Sequence, residues 1–337
     1  MVSALIIGFL FGFLLKRSRF CPSGTIRDIR LEGYVYNFVL LFSLIAIEGF
    51  IYHILLLLKL VPSPQFRYFS FLSVAIGGFI FGFGAVLSNG CVTSTLVKVG
   101  DGRFTGIVSI IAFVLGVAIA KTGILKPLTQ FLASKILIKD ELYKISPFLG
   151  LSLFGFLLII FFILMFFHNK KHKVRFKLPQ KYKGLRHVLF EKTLTLESFV
   201  ILSGVLMGIG FYFSNLTGRN DGFGITVPLF SLFNLVFNNK LVFDWGMLLV
   251  LGIILGVFLT SLMSGEFSIV GTNVYNLYKT ILGSILMGVG ATWAGGCIIS
   301  NGLVGTARLS IMSWLALIFM SLGIWFSTQL LLMKNKT

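Results

Sequence analysis

Long apolar runs alternate with short polar breaks along almost the whole chain, and runs of this length are typical of membrane-spanning helices. Nine runs are predicted to span, the first of them short: residues 3–15, 34–60, 69–87, 105–121, 146–167, 199–214, 245–263, 278–293 and 310–332. Four further segments begin at breaks in the pattern and are expected to be short, partly inserted helices: residues 23–31, 92–97, 228–237 and the stretch after Cys297. The first run lacks the features of a cleaved signal peptide, so we expect it to belong to the fold.

One of these breaks occurs twice. Residues 81–94 read FGFGAVLSNGCVTS, and residues 287–300 read MGVGATWAGGCIIS at an offset of 206. The two windows share five residues that we single out: Gly82 with Gly288, Gly84 with Gly290, Ala85 with Ala291, Gly90 with Gly296, and Cys91 with Cys297. A looser copy surrounds Cys21, which follows the first apolar run. Repeated breaks inside apolar segments indicate the binding site of a transporter.

The composition supports a membrane protein. The mean hydropathy is +0.96 and only 12% of residues are charged, whereas a soluble domain has about 25% charged residues. The net charge of +18 is concentrated in loops, which indicates a positive-inside topology and not nucleic-acid binding. The three cysteines form no C-x-x-C motif and are far apart, so a disulfide framework is not expected.

The charge pattern also predicts the orientation. Residues 168–192 carry seven lysines and two arginines against one acid, so this stretch should be cytoplasmic. Counting spans from it puts the N-terminus outside and the C-terminus inside.

We divide the chain into repeat one (1–125), a connecting span with the basic loop (126–195), and repeat two (196–337). Since an odd number of spans separates the repeats, we expect an all-α polytopic fold with two inverted repeats.

Three motifs carry a family resemblance. RSRFCPSGTIRDI (17–29), SNGCVTSTLVKVGDGR (88–103) and AGGCIISNGLVG (294–305) resemble the cysteine motifs of the YeeE/YedE sulfur transport family. The resemblance implies a bacterial inner-membrane permease that imports thiosulfate through an hourglass of helices. It implies that Cys21, Cys91 and Cys297 line the path and contact the anion in turn. It also implies a small cytoplasmic sulfur carrier of the TusA type as a partner.

The chemistry of a small dianion explains these residue types. A path needs positive potential without a fixed cation that would trap the anion, and helix N-termini supply it. Gly90 and Gly296 let the backbone approach a ligand there. A thiolate would repel the dianion, so we expect the neutral thiol to donate a weak hydrogen bond. Three further polar residues are expected along the path: Asn89, Thr93 and Asn301.

Three charged residues are further candidates, each with a structural alternative. Glu48 lies inside a predicted span. An ionisable group there indicates either a functional residue or a structural partner of a buried basic or polar group. Arg103 and Arg308 follow the two copied breaks, and either attracts the anion or contacts lipid head groups. No cofactor or metal site is expected.

Several functions compete with thiosulfate import. The same fold suits a permease for a selenium compound or another sulfur oxyanion. A membrane sulfurtransferase or disulfide exchanger is a different class, but no C-x-x-C and no convincing general base accompany any cysteine. A soft-metal transporter would use cysteines, yet no methionine or histidine cluster lies near them. One buried cysteine is usually a small hydrophobic residue; three at glycine-bearing breaks favour function, so we expect a permease and not an enzyme.

Overall fold

A computed structural model describes residues 1–63, 68–140, 146–171, 193–219, 221–238 and 243–333, with side chains omitted at 168–171, 234–238 and 333. Nearly all of the basic stretch 168–192, predicted to be cytoplasmic, lies outside the described residues. The described chain is almost entirely helical, because long runs of apolar residues satisfy their backbone hydrogen bonds internally.

The chain forms helices of very different lengths. In order they are α1 (Val2–Ser18), α2 (Pro22–Glu32), α3 (Tyr36–Leu57), α4 (Phe71–Leu87), α5 (Val92–Gly100), α6 (Phe104–Lys121), α7 (Lys126–Ser134), α8 (Pro147–Lys171), α9 (Leu196–Asn215), α10 (Thr226–Asn238), α11 (Trp245–Ser264), α12 (Val274–Trp293) and α13 (Ile311–Thr328). A helical stretch with π-type hydrogen bonding, Ser300–Gly305, follows Cys297, and a second, Gln329–Met333, extends α13.

Two short strands occur between helices. β1 (Tyr68–Ser70) pairs antiparallel with β2 (Leu137–Lys139), with Phe69 opposite Ile138. The chain between α6 and α8 therefore contains a helix, α7, followed by the strand β2.

The prediction of an all-α polytopic membrane protein is confirmed. Seven helices of the described chain are long and apolar enough to cross a membrane when α4 and α5 are taken together. The two other predicted spans are α1, with 17 residues, and α12, with 20. The total of nine spans stays a prediction.

Four helix pairs each combine one helix from the first half of the chain with one from the second half; we call them exchanged pairs. α1 packs against α11 and α3 packs against α9, while α4 packs against α13 and α6 packs against α12. In the predicted repeats, α1 corresponds to α9, α3 to α11, α4 to α12 and α6 to α13. Each pair therefore joins one repeat to the other, as expected for two repeats related by a pseudo-two-fold axis.

Glycines allow the closest of these contacts. A Cβ added at Gly8 or Gly12 of α1 would collide with the backbone of α11, and one at Gly256 of α11 would collide with the backbone of α1. Small residues at such spacing let two membrane helices approach closely. The α1–α11 interface thus depends on the absence of side chains at these positions.

Hydrogen bonds between loops define the two ends of the helix bundle. At one end, here called the Arg17 end, Leu194 N–H donates to Arg17 O at 3.1 Å and Ser268 N–H donates to Asp101 O at 3.2 Å. At the opposite end, here called the Asp140 end, Ile311 N–H donates to an Asp140 carboxylate oxygen at 2.9 Å. Helix α4 runs from the Asp140 end to the Arg17 end.

An ion-pair cluster fixes one end of α5. The Lys16 ammonium lies 2.7 Å from Asp101 and 2.9 Å from Glu266, and Arg19 lies 3.5 Å from Glu266. Partial burial raises the pKa of the Glu266 carboxyl, but the hydrogen bond and charge of Lys16 outweigh that effect, so its pKa is lowered overall. The cluster joins α1, α5 and α11 at the Arg17 end, and so holds the helix that begins at Cys91.

Candidate functional site: three cysteines and two cavities

Each cysteine immediately precedes the first turn of a helix. Cys21 precedes α2 and Cys91 precedes α5 as their N-cap residues, and Cys297 precedes the helical stretch 298–307. Their carbonyl groups accept the first helical hydrogen bonds from the N–H groups of Thr25 at 2.9 Å, Thr95 at 3.0 Å and Asn301 at 2.9 Å. The N–H groups of the first helical turn have no partner within their own helix, so each cysteine lies where a helix favours an anion.

Two of the three thiols lie close together. The Cys21 and Cys91 side chains lie close enough to interact electrostatically, and the Cys21 sulfur lies 3.2 Å from the Ser23 hydroxyl. All three cysteines are free thiols. The structure thus brings together two residues that are 70 positions apart in the sequence.

Cys297 has its own set of contacts. Its N–H donates to the Thr226 hydroxyl, the first residue of α10, at 3.1 Å. Its sulfur lies 3.5 Å from the Ser300 hydroxyl. Cys297 and Cys91 have no solvent-exposed surface, whereas Cys21 is half-buried.

A small cavity of about 160 Å³ borders the Cys21–Cys91 contact at the Arg17 end. Its walls are Cys21, Ser23, Gly24, Arg27, Ala85, Val86, Asn89, Gly90 and Ser94. The Lys98 ammonium lies beside it and donates to the carbonyls of Ser88 at 3.3 Å and Asn89 at 3.0 Å. Arg27 donates to the Asn89 side chain at 3.2 Å. Two cations therefore border this cavity.

A larger cavity of about 500 Å³ opens on the side of Cys297 at the Asp140 end. Gly296, Ser300 and Asn301 contribute to its walls, as do Arg219 and Arg308. Carboxylates are present as well, since Asp140 and Asp221 line it. The charge around the large cavity is therefore mixed, unlike that around the small one.

The two cavities use corresponding residues of the repeated windows. The pairs are Ala85 with Ala291, Gly90 with Gly296, and Ser94 with Ser300. In the described chain the cavities share no wall residue. Ser73 near the start of α4 lines the large cavity and Ala85 near its end lines the small one, so the cavities lie on the order of 20 Å apart along the helix.

The polar residues expected along the path have different surroundings. Asn89 and Gly90 line the small cavity, and Gly296 and Asn301 line the large one. The Asn301 amide group donates to the carbonyls of Ala294 and Gly296 at 3.0 and 3.1 Å, which fixes the turn before Cys297.

Thr93 differs from the other predicted polar residues. It is buried within the first turn of α5, and its hydroxyl makes no hydrogen bond to the described part of the chain. It belongs to the wall of neither cavity described above.

The two arginines that were predicted to attract the anion lie in different surroundings. Arg308 lines the large cavity and its guanidinium lies over the rings of Phe211 and Tyr52, 4.7 and 5.5 Å from their centroids. Arg103 is exposed at the start of α6 and borders neither cavity. Glu48 is completely buried within α3 and interacts electrostatically with Arg308.

Sequence reasoning missed several residues of the site. Ser94 and Ser300 occupy the same last position of the two copied windows, so the repeat itself contained the signal that identifies them. Lys98 lies in the same motif as Cys91 and reaches back to the carbonyls of Ser88 and Asn89. Arg27 reaches Asn89, and Thr226 reaches Cys297, through long-range packing of α2 and α10. The sequence offers no local signal for that packing.

Comparison with known proteins identifies the family. The model of a family described as sulphur transport matches residues 17–326, which include all three cysteine breaks. This chain belongs to the sulphur transport family. The family resemblance inferred from the three motifs is thereby confirmed.

Two similar proteins match this chain along nearly their whole length. A protein of Escherichia coli (strain K12) named "Thiosulfate transporter TsuA" is 32% identical over 338 residues, covering 99% of this chain and 95% of the relative. A protein of the same name from Spirochaeta thermophila is 31% identical over 338 residues, covering 96% of each. Both relatives therefore match this sulphur transport protein over nearly its whole length.

Proposed function

We propose that this protein imports thiosulfate across the bacterial inner membrane, through a narrow path on which Cys21, Cys91 and Cys297 contact the anion in succession. The observation that carries the proposal is the placement of three free thiols at helix N-termini. Cys21 lines the small cavity, while Gly90 and Gly296, the neighbours of the buried Cys91 and Cys297, line the small and the large cavity. The names of the two relatives support thiosulfate as the substrate.

The large cavity is the proposed entrance. Arg308 supplies positive charge there, and the N-terminus of the stretch 298–307 adds the positive end of a helix dipole close by. The carboxylates of Asp140 and Asp221 lower the net potential, so the cavity concentrates the anion without holding it tightly. Passage then leads past Cys297.

The buried thiols form the proposed constriction of an hourglass. Cys297 and Cys91 have no exposed surface, so the path is closed at this level until the helices move. A neutral thiol donates only a weak hydrogen bond, and a site that must release its ligand benefits from such weak contacts. The anion then reaches the small cavity, where Arg27 and Lys98 provide the charge that draws it inward.

The orientation follows from charge. Lys16, Arg17, Arg19 and Arg27 lie at the Arg17 end, which we assign to the cytoplasm by the positive-inside rule. The N-terminus is then periplasmic. A TusA-like sulfur carrier is the proposed cytoplasmic partner, and the small cavity at this end is where it would receive the anion.

Uptake of labelled thiosulfate into liposomes that contain only this chain tests the proposal. We expect uptake above that of empty liposomes, and strong competition by unlabelled thiosulfate. Selenite, sulfite and sulfate serve as competitors for the alternative substrates. Preferred inhibition by selenite, or equal uptake by empty liposomes, would contradict thiosulfate as the substrate.

A further inference from the structure

The charge of the substrate sets an energetic requirement, and this inference rests on the proposed function. A membrane potential that is negative inside opposes the entry of a dianion, and at ordinary potentials passive distribution would exclude it by more than about a thousandfold. Each proton that accompanies the anion cancels one of its two charges. An importer of thiosulfate therefore gains from a group that carries a proton with it.

Glu48 has the surroundings of such a group. It is the thirteenth of 22 residues in α3, its exposed fraction is 0%, and neither of its carboxyl oxygens makes a hydrogen bond to the described residues. A fixed buried carboxylate is normally held by several hydrogen bonds. A carboxyl without them is costly to keep ionised and is retained in membrane helices mainly where charge or protons move.

Arg308 is near both the Glu48 carboxyl and the large cavity. It interacts electrostatically with Glu48 and lines the large cavity, at the end of the helical stretch that begins after Cys297. The other ionisable side chains on α3 and on the described parts of α2, α8 and α9 that pack against it are Tyr36, Tyr52, His53, Arg27, Asp28, Arg30, Glu32, Glu197 and Tyr212.

We propose that Glu48 carries a proton with each imported thiosulfate ion, and that Arg308 couples this proton to the anion. A hydronium ion that enters from the Asp140 end gives a proton to the Glu48 carboxylate. One O–H bond of hydronium breaks, one O–H bond of the carboxyl group forms, a water molecule remains, and no electrons are transferred. Neutral Glu48 no longer balances the charge of Arg308, which then attracts the dianion more strongly. When the anion leaves at the Arg17 end, Glu48 returns its proton to water, which becomes hydronium, and the carboxylate again balances the charge of Arg308.

The test separates exchange from net accumulation in proteoliposomes. Exchange of labelled for unlabelled thiosulfate needs no net proton movement, whereas accumulation under an acid-outside gradient does. For the wild type we expect accumulation to rise by a factor of about ten per pH unit and per proton carried. In Glu48→Gln we expect exchange to stay within about twofold of wild type, while the response to the gradient is lost.

Two variants serve as controls. Glu197→Gln removes a carboxyl at the start of α9 that accepts from Tyr36 at 2.6 Å, and it should keep both exchange and the gradient response. Glu48→Asp keeps an ionisable group and should restore part of the response. A merely structural role of Glu48 predicts the opposite pattern, in which exchange and accumulation fall together.

Several results would overturn the inference. One is gradient-driven accumulation by Glu48→Gln equal to wild type, and another is a joint loss of exchange and accumulation in that variant. A direct measurement needs no variant: addition of thiosulfate to wild-type liposomes in weakly buffered medium should make the outside more alkaline. Exchange without this change would refute proton coupling and leave thiosulfate transport intact, whereas no exchange at all would refute the proposed function and the coupling with it.

Discussion

The two arginines that follow the copied breaks have different access to an anion. Arg308 lines the large cavity and rests on two aromatic rings, while Arg103 is exposed and borders neither cavity. An exposed cation is screened by water and salt, whereas one in a partly enclosed cavity acts on a ligand at short range. The same spacing in the sequence therefore gives one candidate anion-binding residue and one surface residue.

Arg308→Gln should weaken thiosulfate uptake, and Arg103→Gln should not. Removing one cation from the cavity is expected to raise the thiosulfate concentration for half-maximal uptake by about tenfold, equivalent to ~1.4 kcal/mol. Initial uptake rates across a range of thiosulfate concentrations measure this directly. Equal values for both variants would mean that Arg308 does not contact the anion.

Single residues were predictable where local sequence determines their position. Cys21, Cys91 and Cys297 were expected at breaks because glycine or proline stands next to each, and the structure places each at a helix start. The contact between the Cys21 and Cys91 thiols was not predictable. It depends on how α2 packs beside the end of α4, and no local pattern encodes that packing.

The break between α4 and α5 is the element that the site depends on most. Gly90 has a φ of +142°, and a Cβ placed there would collide with the Ser94 hydroxyl. Only glycine adopts such a conformation readily. This conformation sets the direction of α5, and with it the position of Cys91.

Gly90→Ala should therefore disturb the site, with Gly155→Ala as the matched control. A residue forced into this backbone region costs about 1–3 kcal/mol, so we expect lower thermal stability and a severe loss of uptake. Gly155 lies within α8, where a Cβ would make only ordinary contact with Phe50 at 3.6 Å. Its alanine variant should be neutral or slightly stabilised. Unchanged uptake in Gly90→Ala at equal protein level would contradict this role.

Elements were predicted well where hydropathy marks them and less well at their ends. Helix α12 begins at Val274, four residues before the predicted start at 278. Its first turns carry Asn276 and Lys279, and polarity at a membrane surface does not end a helix. Strands β1 and β2 were missed because three-residue strands are defined by their pairing and not by their own pattern.

At the scale of the whole molecule, the exchanged helix pairs and the two cavities suit a pair of inverted repeats. Corresponding residues line cavities at opposite ends of the bundle, which parallel repeats would instead place at the same end. The charge distribution then gives the proposed orientation, with the Arg17 end in the cytoplasm.

Accessibility labelling tests that orientation. Lys59 is exposed in the loop after α3, and Gly271 lies between α11 and α12, where an added Cβ would meet no atom within 4 Å. An impermeant maleimide added to intact cells should label Lys59→Cys from outside, and should label Gly271→Cys only after the cells are opened. The unmodified chain gives the background from its own cysteines. Labelling of both positions from the same side would contradict the inverted arrangement.

The most direct test of the three-thiol path is thiosulfate uptake by Cys21→Ala, Cys91→Ala and Cys297→Ala at matched protein levels. We expect severe loss for Cys91→Ala and Cys297→Ala, a smaller loss for Cys21→Ala, and little change in thermal stability. Serine at the same positions should retain part of the uptake, because a hydroxyl also donates a hydrogen bond. Normal uptake by all three alanine variants would show that the cysteines only fill space and that the proposed path is wrong.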